Sequence, residues 1–335
     1  MAVSKTKYAY AVGRVRVLET RLLDKGKFDR MLEATSAGEV LKVLAETSYS
    51  SYLAELTGAY EFETILRKEM ANVLADFEKM SPQPELVALI ALSYDLHNLK
   101  VLFKNKYLGV ENTDILFPAG AIPLHRLKYA VEDENFREFP EVLRRAGEQI
   151  LDEFVVSRDP QLIDLYLDRA LFELRLTSAQ KARSGFLEGL FQRQVDLLNL
   201  NTFLRVKKMG RSKDFLKQAL LPGGLIAGEL LLELLDESLE ELISRLSTTR
   251  YSAVSGEGIR EWMDTGTATR LEKLSDDFIT AYLQRGRHSP FGLEPLIGYL
   301  WAKQVEIKNI RLVMVGKING LPTEAIRERL RNVYL

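Results

Sequence analysis

Three acidic side chains stand in matching company: Asp95-Leu-His-Asn98-Leu99-Lys, Asp196-Leu-Leu-Asn199-Leu200-Asn and Glu306-Ile-Lys-Asn309-Ile310-Arg. A carboxylate can serve as a general base, ligate a metal or accept hydrogen bonds, so a recurring acid raises the question of which chemistry it performs. Each acid is followed by an Asn three residues on and an aliphatic residue four on. A Lys comes eleven on (Lys106, Lys207, Lys317) and a Gly fourteen on (Gly109, Gly210, Gly320). The copies begin 101 and 110 residues apart. Five matched positions in three copies mark an internal repeat, the strongest signal in the chain. The acids fall in three separate stretches, each with the same Asn and Lys. A structural hydrogen-bonding role is therefore favoured over general-base chemistry, and no residue is assigned as catalytic.

Other chemistry finds little support. The three histidines, His97, His125 and His288, have no pair at metal-ligand spacing, so no metal site is expected. Gly256-Glu-Gly258 lacks the third glycine and preceding strand of a nucleotide cradle and reads as a surface turn; Gly316-Lys317 has the wrong neighbours for a Walker loop. No cofactor is expected. The basic run Arg205-Val-Lys-Lys208, continuing to Arg211 and Lys213, could touch phosphates, but reads better as a helix end with solvated cations. Trp262 and Trp301 read as core or repeat-interface residues.

The composition agrees. Among 335 residues, 46 basic side chains stand against 47 acidic ones, a formal net charge of -1, which argues against nucleic acid as a partner. The 46% hydrophobic fraction suffices for a sizeable core, and the absence of Cys rules out disulfides and fits a reducing compartment. The most apolar region, Ala219–Leu235, is broken by Pro222 and three glycines, so no membrane span is expected. Met1–Lys7 carries lysines, but the apolar patch after it is too short for a signal peptide.

The elements that position these residues read as helices throughout. Leu, Ala, Glu, Lys and Arg dominate, and apolar residues recur at three- and four-residue steps. Arg14-Val-Arg-Val-Leu is the ambiguous stretch; Tyr8, Val12, Val15 and Leu18 share a helical face, which favours helix. Leu89, Leu92, Leu96, Leu99, Phe103 and Tyr107 form one stripe around the first motif, and the third motif repeats it. In the second, Arg193 interrupts it. The trailing Gly suits a left-handed helix stop, and the Lys before it complements the helix dipole. Acid and Lys lie about 16 Å apart along the axis, too far to pair, so each is expected to contact another helix or its repeat neighbour. A second echo, Leu44-Ala-Glu-Thr47-Ser-Tyr49-Ser50 against Leu246-Ser-Thr-Thr249-Arg-Tyr251-Ser252, supports the repeat, with its middle copy near Leu143 lost. Pro/Gly loops, Ile115-Leu-Phe-Pro118-Ala-Gly120 and Leu220-Leu-Pro222-Gly-Gly224, follow the first two motifs. The expected division is three helical units at 1–109, 110–210 and 211–335.

Tyr8-Ala-Tyr10-Ala-Val-Gly-Arg14-Val-Arg16-Val-Leu, the Asp95 motif and Val305-Glu-Ile-Lys-Asn-Ile-Arg together resemble one component of the V/A-type ATPases, known as the C subunit in bacterial and archaeal complexes and as the d subunit in eukaryotic vacuolar enzymes. The likeness spans the chain, although the opening motif often carries Asn-Ala where Val12-Gly13 stand here. The resemblance implies an all-α fold of three similar helical bundles around a pseudo-threefold axis, shaped as a funnel. It implies a non-catalytic adaptor whose partners are the central shaft subunits and the membrane-embedded proteolipid ring, peripheral on the cytoplasmic face. Arg14 and Arg16, charges set between apolar residues, are candidates for a partner surface. The alternatives are a helical-repeat scaffold for peptides, against which the repeat length of about 100 stands, and an all-α enzyme using the repeated acids.

Overall fold

A computed structural model describes residues 5–335, so the first four of the lysine-bearing opening stretch lie outside the described residues. Among these residues there is no strand, and the fold is all-α. In chain order come α1 (Ala9–Glu19), α2 (Lys25–Glu33), α3 (Ala37–Leu44), α4 (Ser50–Leu53) and α5 (Phe62–Met80). Next are α6 (Pro84–Leu108), α7 (Leu124–Glu132), α8 (Glu141–Ser157), α9 (Gln161–Lys181), α10 (Gly185–Lys208), α11 (Lys213–Ala219) and α12 (Gly228–Glu233). The chain continues through α13 (Leu239–Leu246), α14 (Ser252–Thr265), α15 (Thr269–Arg287), α16 (Glu294–Ile318) and α17 (Thr323–Arg327). They gather into two compact units, Gln83–Glu237 and the pairing of Met1–Pro82 with Ser238–Leu335.

In the Gln83–Glu237 unit, α9 packs on both α6 and α10, α8 on α9, and α7 on α6. Pro84 opens α6 where a missing N–H costs nothing, and the Ser184 hydroxyl caps α10 by accepting from Leu187 N. Gly109 and Gly210 stop the two helices at φ 64° and 62°, the left-handed conformation expected of them. The stripe residues from Leu89 to Phe103 are buried, but so are Val87, Ile90, Ala91 and Val101. Thus α6 is enclosed on nearly all sides rather than on one stripe. It is also long and apolar enough to cross a membrane (mean hydropathy 1.4 over 18 residues), yet 67% of that window is buried within the protein, as in a core helix. The stretch 219–235, expected to be the most apolar, divides into a loop and the short α12.

Arg175 on α9 is buried among apolar side chains. Its Nε donates to Leu89 O at 2.9 Å, and its guanidinium lies 5.5 Å and 5.3 Å from the Phe172 and Phe191 ring centres. Burial lowers its pKa to about 10.

In the other unit α16 is the centre, with α1, α3, α5 and α15 packed against it. The ambiguous segment is helical in α1, and Tyr8, Val12 and Val15 are buried. Gly256-Glu-Gly258 is not a surface turn. It lies inside α14, where Gly258 lets α15 approach so closely that a Cβ would sit 2.9 Å from Leu271 Cα. The Leu44/Leu246 echo is a shared turn. Thr47 Oγ1 donates to Leu44 O at 2.6 Å and Thr249 Oγ1 to Leu246 O at 2.7 Å, and Tyr49 and Tyr251 are both buried. Ser36 and Ser238 cap the helices before each turn, α3 and α13. Leu143 sits within α8, without that turn. Trp262 is buried, and Trp301 Nε1 donates to Thr280 Oγ1 at 2.9 Å.

Candidate functional site

The repeated Asn performs the same task three times. Asn98 Nδ2 donates to Phe117 O at 2.9 Å while Phe117 N donates to Asn98 Oδ1 at 2.7 Å. Asn199 grips Leu221 by the same two bonds, both 2.8 Å, and Asn309 grips Arg331 by two of 2.9 Å. A carboxamide carries one donor and one acceptor side by side, so it can pair with both backbone groups of one residue, which neither Asp nor Leu can do.

The acid, one turn earlier on each motif helix, holds a second point. Asp95 accepts Ala121 N at 2.8 Å and Ile122 N at 3.1 Å. Asp196 accepts Leu225 N at 2.8 Å and Ile226 N at 2.9 Å. The partners are loop amides rather than a neighbouring helix. Gly120 and Gly224 directly precede these donors, and a Cβ at either would overlap the carboxylate. That close approach is the physical content of the two Pro/Gly loops. Asp95 is fully buried, and burial pushes its carboxyl up to about 7 against the opposing pull of the two loop N–H groups.

The third copy reaches the same end with different chemistry. Glu306 Oε2 accepts Leu23 N at 2.5 Å, and Leu22 stands before that donor where the other loops have Gly. The extra methylene of Glu spans the greater distance that a side chain at this position imposes. Glu306 Oε1 also accepts Tyr49 OH at 2.8 Å and Lys303 Nζ at 2.7 Å, and Lys303 pairs with Glu69 at 2.9 Å. Lys303 is only 1% exposed. Burial disfavours its charge, but Glu306, Tyr299 and Glu69 outweigh this and hold its pKa above the ordinary lysine value. Burial, then the nearby Glu306, raises the Tyr49 hydroxyl well above its usual range.

The lysines reach beyond their own helix ends. Lys106 donates to Val131 O at 2.8 Å and Glu132 O at 3.1 Å, in the last turn of α7. Lys207 donates to Leu235 O at 2.5 Å and Glu237 O at 2.6 Å, just past α12, and Lys317 to Leu32 O at 2.6 Å in the last turn of α2. The cation therefore serves carbonyls at the end of another helix, which have no intrahelical donor. Gly320, at φ 64°, ends the third helix as its counterparts end theirs.

Acid, Asn and Lys thus form one joint per motif helix, binding it to a loop and to the end of a short helix. Their polar atoms are engaged with backbone and, for Glu306, with the Tyr49 and Lys303 side chains as well. Among the described residues no group of His, Cys, Asp and Glu could hold a metal ion. His97 Nε2 lies 3.0 Å from Ile115 O, and Lys213 pairs with Asp236 at 2.8 Å. Of the two arginines singled out, Arg14 is exposed beside Tyr10 OH at 3.4 Å. Arg16 pairs with the buried Glu19 at 2.8 Å and donates to the carbonyls of Arg287 and Ser289. Sequence reasoning missed the Lys303–Glu69–Tyr49 cluster. Its signal was a lysine three residues before the acid, where the first copy has Leu92. Leu23 and Arg331, as partners of the third motif, had no signal at all.

Residues 11–329, which include all three motif helices and their glycines, match the family model described as ATP synthase (C/AC39) subunit. The chain belongs to this family. Among its C/AC39 relatives, the C subunit of the V-type sodium ATPase from Enterococcus hirae is 30% identical over 321 residues, covering 96% of this chain and 97% of that one. The C subunit of the A-type ATP synthase from Methanocaldococcus jannaschii is 29% identical over 352 residues, covering 98% and 88%. Its counterpart from Desulfurococcus is 24% identical over 332 residues, covering 96% and 90%.

Proposed function

We propose that this protein is the non-catalytic central-stalk subunit of a V/A-type rotary ATPase, equivalent to the d subunit of the eukaryotic vacuolar enzymes. In this reading it couples the rotating shaft to the membrane proteolipid ring while ATP is hydrolysed or made. The observation that carries the reading is the thrice-repeated joint, in which an acid, an Asn and a Lys fasten each motif helix to a loop and a short helix. Three such modules, at about 1–109, 110–210 and 211–335, would surround a pseudo-threefold axis as a funnel. The wide mouth receives the shaft tip and the opposite face sits on the ring, peripheral to the cytoplasmic side of the membrane.

The physics suits the task. A coupler must transmit torque without yielding, and joints made of buried, fully bonded polar groups lock one geometry where apolar contacts alone would slide. A piece between a shaft and a multi-subunit ring also accommodates their different symmetries. Family membership and the names of the first two relatives above, both C subunits of ion-pumping or ATP-making complexes, support the assignment. Of the two candidate contact residues, Arg14 is the one with a free guanidinium face, on the outer side of α1 with the exposed Tyr10 and Val17.

The test is purification of the tagged chain from its own membranes in mild detergent. Shaft subunits and proteolipid should co-purify in fixed proportion, and Arg14→Glu should weaken retention of one of them. Recovery of the chain alone, or with soluble peptides only, would contradict the assignment.

A further inference from the structure

In the first two copies the two grips of the joint act on one continuous loop. Asn98 holds Phe117 and Asp95 holds Ala121, four residues later; Asn199 holds Leu221 and Asp196 holds Leu225, again four later. Release of one grip leaves the loop tethered by the other at very high effective concentration. In the third copy Asn309 holds Arg331, but the residue four later, Leu335, is not the donor to Glu306. That donor is Leu23, 283 positions away from Glu306 in sequence. The two grips hold separate segments, so neither grip retains what the other loses.

The contact between these segments is also imperfectly filled. Leu22 and Leu23 from one segment and Val333, Tyr334 and Leu335 from the other line a small cavity of about 10 Å³, room for roughly one water, beside Glu306 and Asn309. The Tyr334 hydroxyl, buried against Gly298, has no hydrogen-bond partner. Residues 331–334 are otherwise held by polar contacts from α15: Asp276 to the Arg331 side chain at 2.9 Å, Asp277 to Asn332 N at 2.7 Å, and Gln284 to Tyr334 O at 2.8 Å. On the 22–33 segment, Leu23 is fixed by the Glu306–Lys303–Tyr49 cluster, and Leu32 by Lys317.

We propose that residues 331–335 are a releasable strap, opening from α15 and α16 independently of the 22–33 segment that shares their joint. The charged cluster at Glu306 keeps the 22–33 side closed when the strap lifts. The Asn309 grip has no buried lysine behind it; the segment it holds depends on the Arg331–Asp276 pair, which Lys308 shares, and on the other α15 contacts. The third joint is therefore a place where this fold opens locally without unfolding, and the first two joints are not.

Hydrogen exchange of the full-length chain, followed by mass spectrometry, tests this. Peptides spanning 329–335 should exchange at least tenfold faster than the matched loops 115–122 and 219–226, with 22–33 remaining slow. Exchange of 329–335 as slow as the matched loops, or rising only together with 22–33, would overturn the strap. Tyr334→Phe removes the unpartnered hydroxyl while keeping the ring. It should slow exchange in 329–335 at least threefold; unchanged or faster exchange would count against the proposal.

Discussion

The joints in the Gln83–Glu237 unit and the joint around α16 achieve one geometry by two kinds of chemistry. In the former, an Asp meets two backbone N–H groups across a glycine. In the latter, a Glu meets one N–H group, a tyrosine hydroxyl and a buried lysine that is shared with a second glutamate. The difference follows from what stands beside the carboxylate. Where glycine lets the backbone press close, a short acid satisfied by backbone suffices. Where Leu22 holds the backbone off, the longer acid keeps an open lone pair, and buried lone pairs must be filled. A repeat conserves the joint as a physical task, and its local residues change with the space available.

Among substitutions that separate the two kinds of joint, the largest effect is expected at Lys303. Lys303→Met leaves Glu69 and Glu306 buried without their cation, which should cost roughly 3–5 kcal/mol of stability. Denaturant unfolding would measure it, and a loss below about 1 kcal/mol would mean that the cluster does not hold the third joint. Replacing the gripping amides by Leu comes next. Asn98→Leu and Asn199→Leu should each cost roughly 1–3 kcal/mol, because the backbone groups of Phe117 and Leu221 are left buried and unpaired. Asn309→Leu should cost less than either, since Arg331 is only partly buried and water can replace the lost bonds. Equal losses at all three sites would erase the difference between the joints.

Gly120→Ala and Gly224→Ala sharpen the same point with effects toward the lower end of the roughly 1–3 kcal/mol typical of overpacking. Both should be rescued in part by shortening the contact, as in Gly120→Ala with Asp95→Ala. Additive losses in the double variant would show that glycine is not needed for the acid. A separate effect is a change of slope with pH. The Asp95 carboxyl, raised to about 7 from 3.8, ionises less readily in the folded chain than in the unfolded one. Its contribution to stability is full below about pH 3.8 and is lost as pH rises through about 7. Melting temperatures recorded between about pH 4 and 8 should therefore decline less steeply in Asp95→Asn than in the parent, and parallel curves would refute the shift.

Much of this was legible in the residues. The all-α class followed from composition and spacing, and the motif glycines stop their helices in the left-handed conformation that their position suggested. The loops gripped by Asn98 and Asn199 were visible as Pro/Gly stretches because a close approach demands glycine, a residue-level requirement. The third joint was hidden because its partners are brought together by folding. Leu23 and Arg331 are ordinary residues that offer backbone, and backbone leaves no mark in a sequence. Gly258 misled for the opposite reason: a glycine required by helix–helix approach looks the same as one required by a turn.

The proposed coupling role is tested most directly by depleting this chain from the assembled rotary ATPase in sealed vesicles and measuring ATP hydrolysis and ion uptake together. The catalytic sector should still hydrolyse ATP while ATP-driven ion uptake disappears, and adding the purified chain should restore it. Undiminished ion uptake in its absence, or loss of hydrolysis from the detached catalytic sector, would rule out a coupling role for this chain.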